Sequence, residues 1–281
     1  MLSRVFFESQ VGMELKQLDE LRRKFDEYIA GFYGDDEFVN ANLKLKEDHS
    51  RRTCEEMRYL AEQVALTANQ SRIAEATALF HDLGRFKQFA EYRTYNDPKS
   101  VNHCLLSLEI LRQRNMLAGV EEREGEIIEK AIEYHGVKEL PSDLDGECLL
   151  FSKLLRDADK LDIFFVVTQY YKQYRDNPGE FKLEVELPDV PEYSAEVVEA
   201  ILNGQRFDYS RLRSWNDMKL LQLGWVYDVN FTATLRRIRK RKFLEKIVDF
   251  LPQTGDIEKV KEKVFEYVDS AIERGGMEVK R

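Results

Sequence analysis

Apolar residues recur at intervals of three and four along almost the whole chain. Leu15, Leu18, Leu21, Phe25 and Tyr28 share one face and predict a first helix over 13–30, closed by Gly31 and Gly34. Met57, Leu60, Ala61 and Val64 form the stripe of a second helix over 43–68. A third, over 73–83, is expected to end at Gly84, read as the glycine just past a helix C-terminus. The turn signal Asn96-Asp97-Pro98 makes 86–99 an expected loop. Helices follow over 103–115, 122–135 and 147–172. Asn177-Pro178-Gly179 then breaks the pattern, and the alternating run 181–187 is the one strand candidate before Pro188 and Pro191 stop it. Ser194 can cap a short helix ending at Asn203-Gly204, 214–250 reads as helical, and a last helix spans 257–273. The expectation is an all-α protein: an N-terminal helix within 1–40 packing on a core of 41–175, and a C-terminal helical extension over 176–281.

Composition changes this picture little. The 281 residues include only six Pro and 14 Gly, in keeping with long helices. No apolar run approaches the roughly 20 residues of a membrane span, and the first 16 residues lack the pattern of a signal peptide. Cys54, Cys104 and Cys148, odd in number and widely spaced, do not form a disulfide framework, so a cytoplasmic setting is expected. The net charge of -9 argues against a general nucleic-acid coat.

The chemistry lies in the histidines. There are four, His49, His81, His103 and His135, each on a different predicted helix, and none occurs after His135. His135 extends the stripe of Ala131 and Ile132, and His103 leads Leu106 and Ser107 at helical spacing. A single inward histidine is usually a core residue with one satisfied hydrogen bond. Four on separate helices suit a metal site in a bundle core, because neutral imidazole is the commonest side-chain metal ligand. His81-Asp82 would point about 100° apart within a helix, so both reach one site only if the pair sits at a helix end. In Asp157-Ala158-Asp159-Lys160-Leu161-Asp162, Asp159 is expected to face inward. Asp157 and Asp162 are expected outside, paired with Lys153 or Lys160.

The ordered set His49, His81-Asp82 and Asp159, with its contexts Glu47-Asp48-His49-Ser50-Arg51-Arg52, Phe80-His81-Asp82-Leu83-Gly84-Arg85 and Leu155-Arg156-Asp157-Ala158-Asp159, resembles the HD-domain superfamily of metal-dependent phosphohydrolases over about 40–170. The resemblance implies an all-α HD bundle in which His49, His81, Asp82 and Asp159 carry one divalent ion. In members with two metals, two further histidines lie between the HD pair and the last Asp. His103 and His135 match them, with Asp82 bridging both ions. The chain departs from the cyclic-di-GMP phosphodiesterase branch, having Tyr134-His135-Gly136 where that branch has adjacent histidines and lacking its GYP-type signature. It also lacks the acidic pair that follows the HD dipeptide in alarmone hydrolases, since Leu83-Gly84-Arg85-Phe86 stands there.

The expected reaction is hydrolysis of a phosphate ester or nucleotide by a metal-bound hydroxide, since a divalent ion lowers the pKa of bound water to about 7. Asp82 is the bridging carboxylate, and Arg85 and Lys160 are the candidate cations for a small phosphorylated substrate. Arg51, Arg52, Arg93 and Lys99 are weaker ones. The metal, whether Mn, Fe, Mg, Ni or Zn, is left open by the ligand types. Cys104 beside His103 is set aside as a nucleophile on the ground that helix neighbours do not face each other. Two alternatives stand: a di-iron HD-type oxygenase acting on a small polar substrate with the same six ligands, and nucleic-acid binding through 236–242, where six of seven residues are basic.

Overall fold

The computed structural model describes residues 12–177 and 187–276, and every statement below concerns those residues. They are helical with no β-strand among them. The strand expected over 181–187 lies, apart from Leu187, outside the described residues. The chain divides into two compact units, one of 12–50 and 65–152, the other of 51–64 and 153–276, so that the division falls within two long helices, α2 (Glu37–Gln63) and α7 (Gly146–Asp176).

In the first unit, α1 (Leu15–Ala30) buries Leu18, Leu21 and Phe25 of the stripe its spacing predicts, with Ile29 added, while Leu15 at the helix start is exposed. It packs on α3 (Ala68–Phe80), where Phe25 meets Phe80 at 6.3 Å between ring centroids. Thr67 caps α3 by accepting from the Gln70 amide, and the Gln70 side chain returns the bond, closing a capping box. A helix α4 (Leu83–Tyr92) follows almost at once, then α5 (His103–Gln113), α6 (Glu122–Tyr134) and the first turns of α7. The pairs α4–α5, α5–α6 and α3–α6 also pack together in this core.

Helix α4 corrects the loop expected over 86–99. Phe86 and Phe89, three apart, are fully buried, and Phe86 sets its edge 5.9 Å from Phe25, so the apolar period continues past Gly84. Arg93, in the left-handed region at φ 58°, ends the helix by donating its amide to the Phe89 carbonyl. Gly84 is therefore not a helix stop. It lies inside α4 where a Cβ would come within 2.6 Å of the His103 carbonyl oxygen, and its missing side chain lets α4 and α5 touch.

The second unit contains α8 (Ala195–Leu202), α9 (Trp215–Gly224), α10 (Thr232–Lys240), α11 (Phe243–Val248) and α12 (Gly255–Arg274), with 51–64 and 153–176 of α2 and α7. The single helical stretch expected over 214–250 is thus three helices and a 3₁₀ turn (Trp225–Asp228). Polar groups inside the unit explain the break. Asp157 is fully buried and accepts the Asn230 and Phe231 amides, the Asn230 side-chain amide and the Thr234 hydroxyl, which anchors the start of α10. Asp162 is also buried and pairs with Arg52 at 2.6 Å. Both carboxylates were expected outside. They lie inside because each has donors from remote segments, and only such partners offset the cost of burying charge. The basic run 236–242 is in part neutralised here: Arg237 and Arg241 pair with Glu56, and Arg239 with Asp269. No described helix is long and apolar enough to cross a membrane.

Candidate metal centre

Four histidines converge in the first unit, all buried: His49 near the middle of α2, His81 at the C-cap of α3, His103 at the first position of α5 and His135 at the C-cap of α6. Asp82 follows His81 as the cap residue of α4, with φ -103° and ψ 20°. The junction between two helices is what turns adjacent side chains toward one place. Ser107 fixes this junction on α5, since its hydroxyl donates to the His81 carbonyl and accepts the Gly84 amide.

The groups form two pairs about one carboxylate. His49 Nε2 and His81 Nε2 are 3.1 Å apart and lie 3.5 and 3.6 Å from Asp82 Oδ2. His103 Nε2 and His135 Nε2 are also 3.1 Å apart and lie 3.6 and 3.9 Å from the other oxygen, Oδ1. Two imidazole nitrogens bound at about 2.1 Å and at right angles to one cation would stand about 3.0 Å apart.

Proton inventory shows that the donor set fits a cation. His81 Nδ1 is 2.7 Å from the Ala78 carbonyl and His135 Nδ1 is 2.7 Å from the Ile132 carbonyl. A carbonyl only accepts, so each Nδ1 carries the proton and, in the neutral ring, each Nε2 presents a lone pair. His103 Nδ1 donates to Asp97 Oδ2 at 2.6 Å, which bares its Nε2 as well. Two lone pairs at 3.1 Å repel unless a positive charge lies between them. The His103–His135 pair could thus hold a cation, with Cys104 Sγ within reach of the same ion.

Fixed charge keeps the carboxylates ionised. Burial pushes Asp82 up, but Lys46 foremost, then Arg85, hold its carboxyl well below the usual range. Lys46 Nζ lies 2.8 Å from Asp82 Oδ2. Burial likewise raises Asp97, while the hydrogen bond from His103, then Arg85 and the Gln88 amide, lower it on balance. Arg85 is gripped by Gln88, the Tyr95 carbonyl and Asp97 through Nη1, and its buried Nε faces Asp82 Oδ1 at 3.5 Å with no hydrogen-bond partner.

Of the expected site residues, the first unit thus brings together His49, His81, Asp82, His103, His135 and Arg85. Asp159 and Lys160 belong to the second unit. There Asp159 is half-buried, and Lys160 sits 2.8 Å from Asp228 Oδ2, which it shares with Arg156. Burial, then the neighbouring Arg156, pushes the Lys160 ammonium down to about 7. Sequence reasoning missed three residues. Lys46 precedes His49 by three and so shares its helix face, a signal that was legible. Asp97 was hidden in a turn motif, and Cys104 was dismissed. Its Sγ lies 3.5 Å from His103 Nε2 and 3.9 Å from His135 Nε2, because His103 opens its helix and its ring folds back over the next residue's thiol.

Compared with protein-family models, the chain matches that of the HD domain over residues 47–163. No curated protein and no solved structure matches it.

Proposed function

With residues 47–163 forming an HD domain, we propose that the protein is a metal-dependent phosphohydrolase acting on a small phosphate ester or nucleotide. The observation that carries the reading is Asp82, whose two oxygens each face a separate pair of imidazole Nε2 atoms. Such a carboxylate suits two divalent ions rather than one. Bound divalent ions would polarise phosphoryl oxygens and supply a nucleophile at neutral pH by acidifying water.

The chain's own residues do the rest. The Ala78 and Ile132 carbonyls and the Asp97 carboxylate hold three imidazoles in the tautomer that ligates. Ser107 keeps the HD junction rigid. Arg85, its guanidinium fixed on one edge, supplies positive charge beside Asp82, and we assign it to a phosphoryl oxygen.

The test is metal analysis of the purified protein, followed by phosphate release from phosphomonoesters, phosphodiesters and nucleotides, in air and without oxygen. The expected result is about two divalent ions per chain and oxygen-independent release that a chelator abolishes and added metal restores. Turnover that consumes oxygen would replace this reading with the di-iron oxygenase. Release indifferent to chelation would end both.

A further inference from the structure

We propose that Cys104 is a thiolate ligand of the cation held by His103 and His135, which makes that half of the centre selective for a thiophilic ion such as zinc or iron(II). The inference rests on the reading of the His/Asp cluster as a metal centre and adds to it a donor of a different chemical kind.

Three atoms form a closed triangle in the first unit: His103 Nε2 to His135 Nε2 at 3.1 Å, Cys104 Sγ to His103 Nε2 at 3.5 Å, and Sγ to His135 Nε2 at 3.9 Å. All three side chains are buried, and their donor atoms are close enough to share one ion. Asp82 Oδ1, at 3.6 and 3.9 Å from the two nitrogens, supplies a fourth corner. A cation about 2.1 Å from nitrogen and about 2.3 Å from sulfur separates the two donors by about 3.1 Å at a right angle and by about 3.6 Å at a tetrahedral one. The observed N–S edges bracket the tetrahedral value.

The three donor atoms lie within reach of a single ion. Both nitrogens are bare because His103 Nδ1 is committed to Asp97 and His135 Nδ1 to the Ile132 carbonyl. One cation satisfies all three atoms. The backbone makes room for this arrangement at Gly136, where a Cβ would stand 2.9 Å from Cys104 Sγ and 3.5 Å from His103 Cε1. On ligation the Sγ–H bond breaks, its proton passes to solvent, and a sulfur–metal bond forms with no change of oxidation state. A thiolate favours zinc or iron over magnesium or calcium, which prefer oxygen donors.

The test loads the full chain with cobalt(II) and records its absorption. Wild-type protein is expected to show a thiolate-to-cobalt charge-transfer band in the near ultraviolet. That band should vanish in Cys104→Ser and persist in Cys54→Ser and Cys148→Ser. X-ray absorption of the zinc-loaded wild type, which needs no variant to fold, should show a sulfur neighbour at about 2.3 Å. Wild-type protein that holds cobalt without the band, and zinc without a sulfur neighbour, would overturn the role of Cys104 and leave the metal centre standing. Protein that takes up neither ion would overturn both.

Discussion

Asp97 is a surface-loop carboxylate by sequence, yet it fixes which nitrogen of His103 is available. Its Oδ2 accepts from His103 Nδ1 while Oδ1 accepts from Arg85 and Gln88, so one side chain sets both an imidazole tautomer and the position of a guanidinium. Removing such a partner costs about 10–100-fold in metal affinity. Asp97→Asn is therefore expected to weaken the ion at His103 and His135 by that factor and to spare the one at His49 and His81. Competition against a chelator of known affinity, read as two binding steps, checks this. Equal weakening of both steps would show that Asp97 acts on the fold and not on one ring.

Among the elements, α4 and α5 depend on a single missing methyl group. At Gly84 an added Cβ would meet backbone on two sides, the His103 carbonyl oxygen at 2.6 Å and the Ser107 amide nitrogen at 2.8 Å, and backbone cannot rotate away. Gly84→Ala should cost about 1–3 kcal/mol, the usual range for an overpacked contact, measured by denaturant unfolding. It should also lower metal content, since the shift separates Asp82 from His103. The first turn of α7 carries a pH dependence. Asp145 accepts the Glu147 and Cys148 amides, and the hydrogen bond from Arg123, then that from the Cys148 backbone, holds its carboxyl below the ordinary range. A carboxyl depressed in the folded state contributes stability above its unfolded pKa of about 3.9 and loses it as pH falls further. Melting temperature should thus decline below about pH 4, and Asp145→Asn should flatten part of that decline. In the second unit, Asp157→Ala would leave four donors on Asn230, Phe231 and Thr234 without their acceptor. At about 1–3 kcal/mol per buried unsatisfied group, unfolding of the region around α10 is the expected outcome, visible as lost hydrogen-exchange protection.

For the molecule as a whole, the centre links segments far apart in the chain. Its groups come from α2, the α3–α4 junction, α5 and α6, so an ion that binds them stabilises the folded state over the unfolded one. At a hundredfold excess over its dissociation constant, one ion adds about 2.7 kcal/mol. Chelation is expected to lower the melting temperature measured by calorimetry, and zinc or manganese should restore it. An unchanged melting temperature would mean that the imidazoles hold no ion under those conditions.

Periodicity along the chain is enough to mark α1, α5, α6, α7 and α12 to within a few residues, because the residues that face a core repeat at the helical interval whatever the core contains. The four histidines and the HD dipeptide were equally plain, since rarity and position can be read without coordinates. What tertiary structure alone decided was partnership. Periodicity names the face a residue occupies but not its neighbour across the gap, so the turn signal reads as a loop where α4 stands, with Phe86 and Phe89 buried and Phe86 against Phe25. Asp157 and Asp162 looked like surface acids until their donors from α10 and α2 were placed beside them. Cys104 entered the centre for the same reason. The path of the His103 ring, set by Asp97 and by the start of a helix, is a property of three-dimensional packing that no spacing along a sequence encodes.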